Sequence, residues 1–178
     1  MSRAKTVALI SMCTALLIGG QYVLSGLVGV EIVTVLLLCF SYCFGCRMGI
    51  AIATAFSLLR CLFFGFFVNV VILYLIYYNL FALFFGWIGK RISKFSYPVK
   101  TVIVTFSAMI FTAFFTLLDD TLNIVLYSMN RNAAITYITS SIPAIVSQII
   151  CTLVTVSVLF APLTTVIQKS GLKKSSRR

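Results

Sequence analysis

Polar side chains inside an apolar sequence are the residues of this chain that could do chemistry. The chain has no histidine and only three carboxylates, so the residue that most often acts as a general base is missing. No phosphate-binding glycine loop, nucleophile elbow or metalloprotease motif occurs in it. The polar side chains that do occur in the apolar segments are one arginine, amides, carboxylates and tyrosines, and these suit recognition of a flat, polar solute. The sequence therefore predicts a binding protein rather than an enzyme.

These polar residues concentrate toward one end of the apolar segments, near the predicted outer face of a membrane. Polar groups in a bilayer need a partner or water, so their position along each segment is informative. The opposite halves of the segments are nearly free of such groups, which predicts a cavity open to the outside. Eight residues are candidates for substrate binding: Gln21, Glu31, Arg60, Asn69, Tyr74, Tyr78, Asp119 and Gln148.

The charged candidates also have purely structural interpretations. Glu31 would suit the first turn of a helix, where the helix dipole favours a carboxylate. Arg60 is expected to form an ion pair with Glu31 or Asp119, because an unpaired cation at that depth is costly. Asp119 and Asp120 would be ordinary solvated loop charges if their helix ended early. Ligand contact and structural pairing both stay open.

Three tyrosines recur at helical spacing in the fourth apolar segment. Tyr74, Tyr77 and Tyr78 are three and four residues apart, which places them on one helix face. They belong either to the aromatic belt of a membrane interface or to a surface that stacks on a flat ligand. Tyr74 lies too deep in its segment for the belt alone.

Small side chains form a second pattern, along the first apolar segment. Ala4, Ala8, Ser11, Ala15 and Gly19 follow one another at spacings of four, three, four and four residues. Such a stripe allows another helix to approach closely, and van der Waals contact drives helix association in lipid. It either packs inside the protein or docks against another membrane subunit, with Ala8, Ser11 and Ala15 as the contact residues.

The six cysteines do not form a recognisable metal or disulfide framework. Cys43 and Cys46 make one CxxC pair, but a zinc site needs about four ligands, and there is no histidine and no second pair. Buried thiols behave as small hydrophobic groups. We therefore expect packing roles for the cysteines, with no metal and no cofactor.

Membrane-spanning helices are the elements that must position these residues. The chain is 61% hydrophobic and 10% charged, which leaves too little polar surface for a soluble globule. An all-α integral membrane protein with six transmembrane helices is predicted, in one domain over residues 1–178 with a basic tail from about 170. Pro143 would mark a bend or the first turn of the last helix. Six stretches approach the length that crosses a bilayer: 6–24, 31–46, 48–66, 68–88, 101–126 and 138–167.

Basic residues provide an independent test of this topology, because cytoplasmic loops carry an excess of lysine and arginine. With the N-terminus inside, 12 of the 14 basic residues fall in cytoplasmic segments. The exceptions are Arg131, in an external loop, and Arg60, within the third helix. Both termini are therefore predicted to be cytoplasmic. The first segment would be a retained helix, since it lacks a signal-peptide cleavage pattern. The net charge of +11 is spread over loops, which argues against a nucleic-acid surface.

Several short sequences, in a set order along almost the whole chain, carry a family resemblance. They are Ala8–Gln21 after a basic N-terminus, Val30–Val33, Gly45–Gly49, Phe64–Phe66, Ser141–Pro143 and Phe160–Leu163. In their order and spacing the chain resembles the substrate-binding (S) subunits of bacterial energy-coupling factor (ECF) vitamin transporters, and looks closest to the group that includes the cobalamin-type subunits. Arg60 departs from this pattern, because similar members tend to carry an acidic residue there.

The resemblance implies a multi-pass protein of the bacterial plasma membrane that captures a vitamin or related micronutrient from outside. It implies a transmembrane coupling subunit and two ATPase subunits as partners, with the small-residue face of helix 1 as the docking surface. Two alternatives stay open: a stand-alone secondary carrier or channel for a small solute, and a non-transporting membrane scaffold. The sequence has no inverted repeat and no matched pair of broken helices, which disfavours active transport by this chain alone.

Overall fold

The computed structural model describes residues 3–24 and 32–169, and every regular element in these ranges is a helix. The predicted all-α class is confirmed for this part of the chain, and each of the six predicted segments overlaps mainly with one helix, with ends that differ by up to seven residues. That all six cross a membrane stays a prediction. A single 3₁₀ turn (Ile92–Lys94) joins the fourth and fifth helices. The helices are α1 (Arg3–Leu24), α2 (Ile32–Phe44), α3 (Cys46–Phe64), α4 (Val68–Arg91), α5 (Tyr97–Leu126) and α6 (Arg131–Lys169).

Five of these helices, all except α2, are long and apolar enough to cross a membrane. The chain is therefore a multi-pass helical membrane protein. The last helix differs from the prediction. It has 39 residues, begins at Arg131 and continues through both Pro143 and Pro162. Of the two predictions for Pro143, the first turn was therefore wrong, and a bend stays a prediction. At 1.5 Å per residue α6 is roughly 58 Å long, which exceeds the hydrocarbon core.

The shortest helix, α2, lies in the middle of the bundle. Its 13 residues measure about 20 Å, less than the roughly 30 Å of a hydrocarbon core. Val35, Leu37, Leu38 and Cys39 are completely buried, because α2 contacts α1, α3, α4 and α6. A helix surrounded on every side needs apolar residues around its whole circumference, which explains why its sequence shows no polar face.

Backbone contact between the α2–α3 turn and α4 joins the helices at one end. Gly45 has a φ of 88°, a left-handed conformation that favours glycine and separates α2 from α3. A methyl group added at Gly86 would lie 2.5 Å from the backbone nitrogen of Cys46, and one at Gly89 would lie 2.5 Å from the carbonyl oxygen of Tyr42. The approach of α4 to this turn therefore requires both of its glycines.

Side-chain contacts show the relative directions of the helices. The Tyr22 and Phe64 rings, near the ends of α1 and α3, lie 6.3 Å apart, so these helices run parallel. Asn69 near the start of α4 donates a hydrogen bond to Asn123 near the end of α5, at 3.0 Å, so α4 and α5 are antiparallel. The direction alternates from each helix to the next along the chain.

This alternation brings eight of the ten basic residues of the described chain to one end of the bundle, which we call the basic end. The exceptions are Arg60, within α3, and Arg131, which begins α6 at the opposite end. The arrangement is the one that the positive-inside rule leads us to expect for a multi-pass protein. The basic end carries Arg3, Lys5, Arg47, Lys90, Arg91, Lys94, Lys100 and Lys169.

Hydrogen bonds between side chains connect α5 and α6 along their length. The hydroxyls of Thr112 and Thr152 lie 2.9 Å apart in the buried interface. Tyr97 reaches the hydroxyl of Thr164 at 2.8 Å nearer the basic end. Polar contacts of this kind hold helices together in lipid, where the hydrophobic effect is absent.

Replacing Thr112 and Thr152 by valine, singly and together, is expected to reveal a coupling free energy of about 0.6 kcal/mol. Each single variant leaves the other hydroxyl without its partner, so the second replacement costs less than the first. Unfolding by sodium dodecyl sulfate titration measures the effect. The control is a second double-mutant cycle that combines Thr112→Val with Thr155→Val. The Thr155 hydroxyl donates to the Cys151 carbonyl of its own helix at 2.6 Å and so should not couple to Thr112. Equal coupling in both cycles would contradict the prediction.

Candidate functional site

Arg60 stacks on aromatic rings in the half of the bundle away from the basic end. Its guanidinium carbon lies 4.1 Å from the centre of the Tyr74 ring on α4 and 5.3 Å from that of Phe64 on its own helix. Arg60 and Phe64 are four residues apart, so they share one face of α3. Cation–π attraction strengthens when the cation is desolvated, as it is at this half-buried position.

The Arg60 guanidinium has one N–H donor, at Nε, that no side chain or backbone group of the described residues accepts. Its Nε is buried and has no hydrogen-bond partner within residues 3–24 and 32–169. The expected pair with Asp119 is not formed. Asp119 Oδ1 instead accepts a hydrogen bond from Asn123 Nδ2 at 3.1 Å. The alternative partner, Glu31, lies outside the described residues, so that prediction stays open.

Gln21 on α1 carries a second buried polar atom of the same kind. Its Oε1 has no hydrogen-bond partner in the described part of the chain. A buried donor or acceptor without a partner costs about 1–3 kcal/mol, and a native protein retains such atoms where water, an ion or a ligand satisfies them. An N–H donor at Arg60 and a carbonyl acceptor at Gln21 are complementary to a solute that carries both kinds of group.

The three tyrosines of α4 lie inside the bundle. Tyr74, Tyr77 and Tyr78 are all buried, which excludes the interfacial aromatic belt. The Tyr74 and Tyr78 rings lie 4.9 Å apart, and the Tyr77 ring lies 4.7 Å from that of Phe115 on α5. Edge contacts of this kind give the rings fixed orientations. Tyr74, which faces Arg60, is the tyrosine best placed to contact a solute together with the guanidinium.

A second group of polar side chains joins α5 to α6. Gln148 Oε1 accepts a hydrogen bond from Thr116 at 2.7 Å, and Asp120 Oδ2 accepts one from Ser141 at 2.5 Å. Because α5 continues to Leu126, Asp119 and Asp120 lie within the helix, and Asp120 is only 4% exposed. The interpretation of these carboxylates as solvated loop charges was therefore wrong.

The structure thus separates the eight predicted site residues. One cluster between α3 and α4 contains Arg60, Tyr74 and Tyr78. Hydrogen bonds to neighbouring helices or to their own helix occupy three others: Asn69, Asp119 and Gln148. Gln21 lies on α1, and Glu31 lies outside the described residues. Sequence reasoning missed Phe64 and Phe115, although the four-residue spacing of Arg60 and Phe64 was a usable signal.

The small-residue stripe lies on the surface of α1. Ala8, Ser11 and Ala15 are exposed, whereas α1 buries the stripe formed by Leu9, Cys13 and Leu17. The interpretation of the small residues as internal packing was therefore wrong. Ser11 and Ala15 line a groove of about 540 Å³ between α1 and α3, together with Gly19, Ala55 and Leu59.

The CxxC pair does not gather further metal-binding side chains. Across the two described ranges, no three histidine, cysteine, aspartate or glutamate residues come together. Cys46 Sγ donates a hydrogen bond to the carbonyl oxygen of Leu83 at 3.4 Å. Here the thiol attaches the α2–α3 turn to α4.

Comparison with family models, with curated proteins and with solved structures finds no match to this chain. The resemblance to ECF substrate-binding subunits therefore stays a prediction. The residues around Arg60 and the surface of α1 carry the functional interpretation.

Proposed function

We propose that this chain is the substrate-binding subunit of an energy-coupling factor transporter, capturing a vitamin or related micronutrient outside the cell. The observation that carries the proposal is Arg60, whose guanidinium rests on Tyr74 with a buried Nε that has no partner among the described residues. A solute with a carboxylate, phosphate or amide oxygen would satisfy that donor.

The proposed topology has six membrane spans with both termini in the cytoplasm of a bacterial cell. The basic end would face the cytoplasm by the positive-inside rule. Arg60, Tyr74 and Gln21 then lie in the outer half, where a solute arrives. In this topology α2 counts as the second span.

Energy for uptake would come from partner proteins. A transmembrane coupling subunit would dock on the exposed face of Ala8, Ser11 and Ala15, because small side chains let a second helix approach closely in lipid. Two ATPase subunits would drive that partner. The chain itself would bind the solute outside the cell and release it inside.

Thermal unfolding of the purified chain against a panel of vitamins tests the proposal. A ligand that binds only the folded state stabilises it by about 2.7 kcal/mol at a concentration 100 times its Kd, so one member of the panel should raise the Tm. If no vitamin raises it, a scaffold role is favoured. Solute flux into liposomes that contain this chain alone would instead support a stand-alone carrier or channel.

Ala15→Leu is expected to abolish uptake that depends on the coupling subunit while leaving solute binding unchanged. The added branched side chain would hold an approaching helix away from α1, whereas the Arg60 guanidinium contacts Tyr74 and Phe64. Uptake of radiolabelled solute by cells that produce the complete transporter measures the effect. Ala144→Leu, the same change at an exposed position of α6, is the control and should transport normally. Uptake unaffected by Ala15→Leu would contradict docking on this face.

A further inference from the structure

An apolar groove opens on the surface between α4 and α5, in the half of the bundle nearer the basic end. Its volume is about 720 Å³, within the range of small-molecule sites. Five of its side chains are between 42% and 55% exposed, so the groove faces the surrounding lipid: Leu80, Leu83, Trp87, Ile110 and Phe114. The lining includes Leu80, Leu83 and Trp87 on α4, Ile110 and Phe114 on α5, and Cys46 at the α2–α3 turn.

Two exposed arginines stand where this groove meets the basic end. Arg91 lies with its guanidinium carbon 5.0 Å from the centre of the Trp87 ring, and Trp87 lines the groove. Arg47 directly follows Cys46, another lining residue. The carboxylates of the described chain, Asp119 and Asp120, lie toward the opposite end of α5. The mouth of the groove is therefore positively charged.

We propose that this groove binds an anionic phospholipid, with an acyl chain along the apolar lining and the phosphate between Arg91 and Arg47. Guanidinium groups bind phosphate through paired, charge-assisted hydrogen bonds. Basic pockets beside transmembrane helices are suited to anionic headgroups. The adjoining apolar surface and cationic mouth match the two parts of a lipid molecule.

The chemistry of the lining disfavours a polar solute in this groove. Apart from the Cys46 thiol, whose sulfur already bonds to the Leu83 carbonyl, the groove-lining side chains named above are aliphatic or aromatic. A neutral lipid would occupy the apolar part but would gain less from the arginines. The site is separate from Arg60 and does not depend on the function proposed for that residue.

Fluorescence of Trp87 tests the proposal, because it is the only tryptophan of the chain and lies in the groove. The full chain is reconstituted in vesicles containing equal parts of phosphatidylglycerol and phosphatidylcholine, with bromine on the acyl chains of one lipid or the other. Brominated phosphatidylglycerol should quench Trp87 more strongly. We expect a preference of about fivefold for each arginine that contacts the phosphate.

Arg91→Gln and Arg47→Gln should each reduce this preference, and the double variant should remove it. Lys169→Gln, which removes one charge at the same end on a helix that does not line the groove, should keep it. Replacing Arg91 can itself change Trp87 emission, because the two side chains are in contact. That change is the same with either brominated lipid, so it does not affect the ratio of the two quenching values. Equal quenching of the unaltered chain by the two brominated lipids would overturn the proposal, because it would show that the groove contacts bulk lipid without selecting the anionic headgroup.

Two further results would also overturn it. A preference that persists in the double variant would place the phosphate elsewhere. A fluorescence that neither lipid quenches would mean that another molecule covers the groove. If Arg91→Gln does not fold, Arg47→Gln and the unaltered chain still decide the question, because the lipid preference is measured in each separately.

Discussion

Gly89→Ala is expected to lower the free energy of unfolding by at least about 3 kcal/mol and to leave little folded protein in detergent. The added methyl carbon would lie 2.5 Å from the Tyr42 carbonyl oxygen and 3.2 Å from its Cα. These are backbone atoms in the last turn of α2, so they cannot rotate away as a side chain does. The end of α2 must therefore separate from α4. Gly86→Ala, against the backbone of Cys46, should behave in the same way.

Gly19→Ala is the matched control for these substitutions. A methyl group there meets no atom within 4 Å, and alanine has a higher helix propensity than glycine by about 1 kcal/mol. The Tm in detergent should therefore stay unchanged or rise for Gly19→Ala and fall for Gly89→Ala. Equal Tm values for both variants would show that α4 does not touch the turn as described.

Arg60→Met is expected to weaken solute binding about 100-fold, or by about 2.7 kcal/mol, while the protein stays folded. Methionine fills much of the space of the arginine stem but removes both the charge and the Nε donor. Loss of a half-buried cation should also leave the Tm of the solute-free protein unchanged or raised. Binding is measured by titration with the vitamin that the thermal screen identifies.

Two other variants separate charge from position. Arg60→Lys keeps the charge but loses the planar group that stacks on Tyr74, so we expect a smaller loss of about tenfold. Arg131→Met removes the exposed arginine at the first residue of α6 and should bind normally. If Arg60→Met binds the solute as tightly as the unaltered protein, Arg60 has a structural role and the proposed site is wrong.

Much of the fold was predictable because a bilayer imposes simple rules on sequence. A spanning helix needs about 20 apolar residues, and the predicted segments at 6–24, 68–88 and 101–126 each lie within one helix of the structure. The break between the second and third segments was predicted to within about two residues, after 46, whereas the structure places it at Gly45, whose left-handed conformation favours glycine. The beginning of α6 was not. Residues 131–137 mix polar and apolar side chains, and hydropathy does not distinguish such an exposed helix from a loop.

The candidate site was predictable as a set of residues but not as an arrangement. Arg60 and Tyr74 were both candidates, yet sequence reasoning paired Arg60 with a carboxylate, whereas the structure stacks it on Tyr74 at 4.1 Å. Asp119 finds its partner in Asn123 on the same helix. Which of several possible partners a polar group meets depends on helix rotation and depth, and a single sequence does not encode either in a readable way.

Composition and spacing by themselves determined that this is a membrane protein, that its helices alternate in direction, and that most of its basic residues collect at one end. These properties follow from solvation, which acts on each segment separately. Only the tertiary structure decided that the small-residue face of α1 is exposed, that α4 meets the α2–α3 turn through Gly86 and Gly89, and that an apolar groove ends beside Arg91. These properties depend on contacts between segments, because a shift of a few ångströms between two helices decides whether a face is buried or exposed.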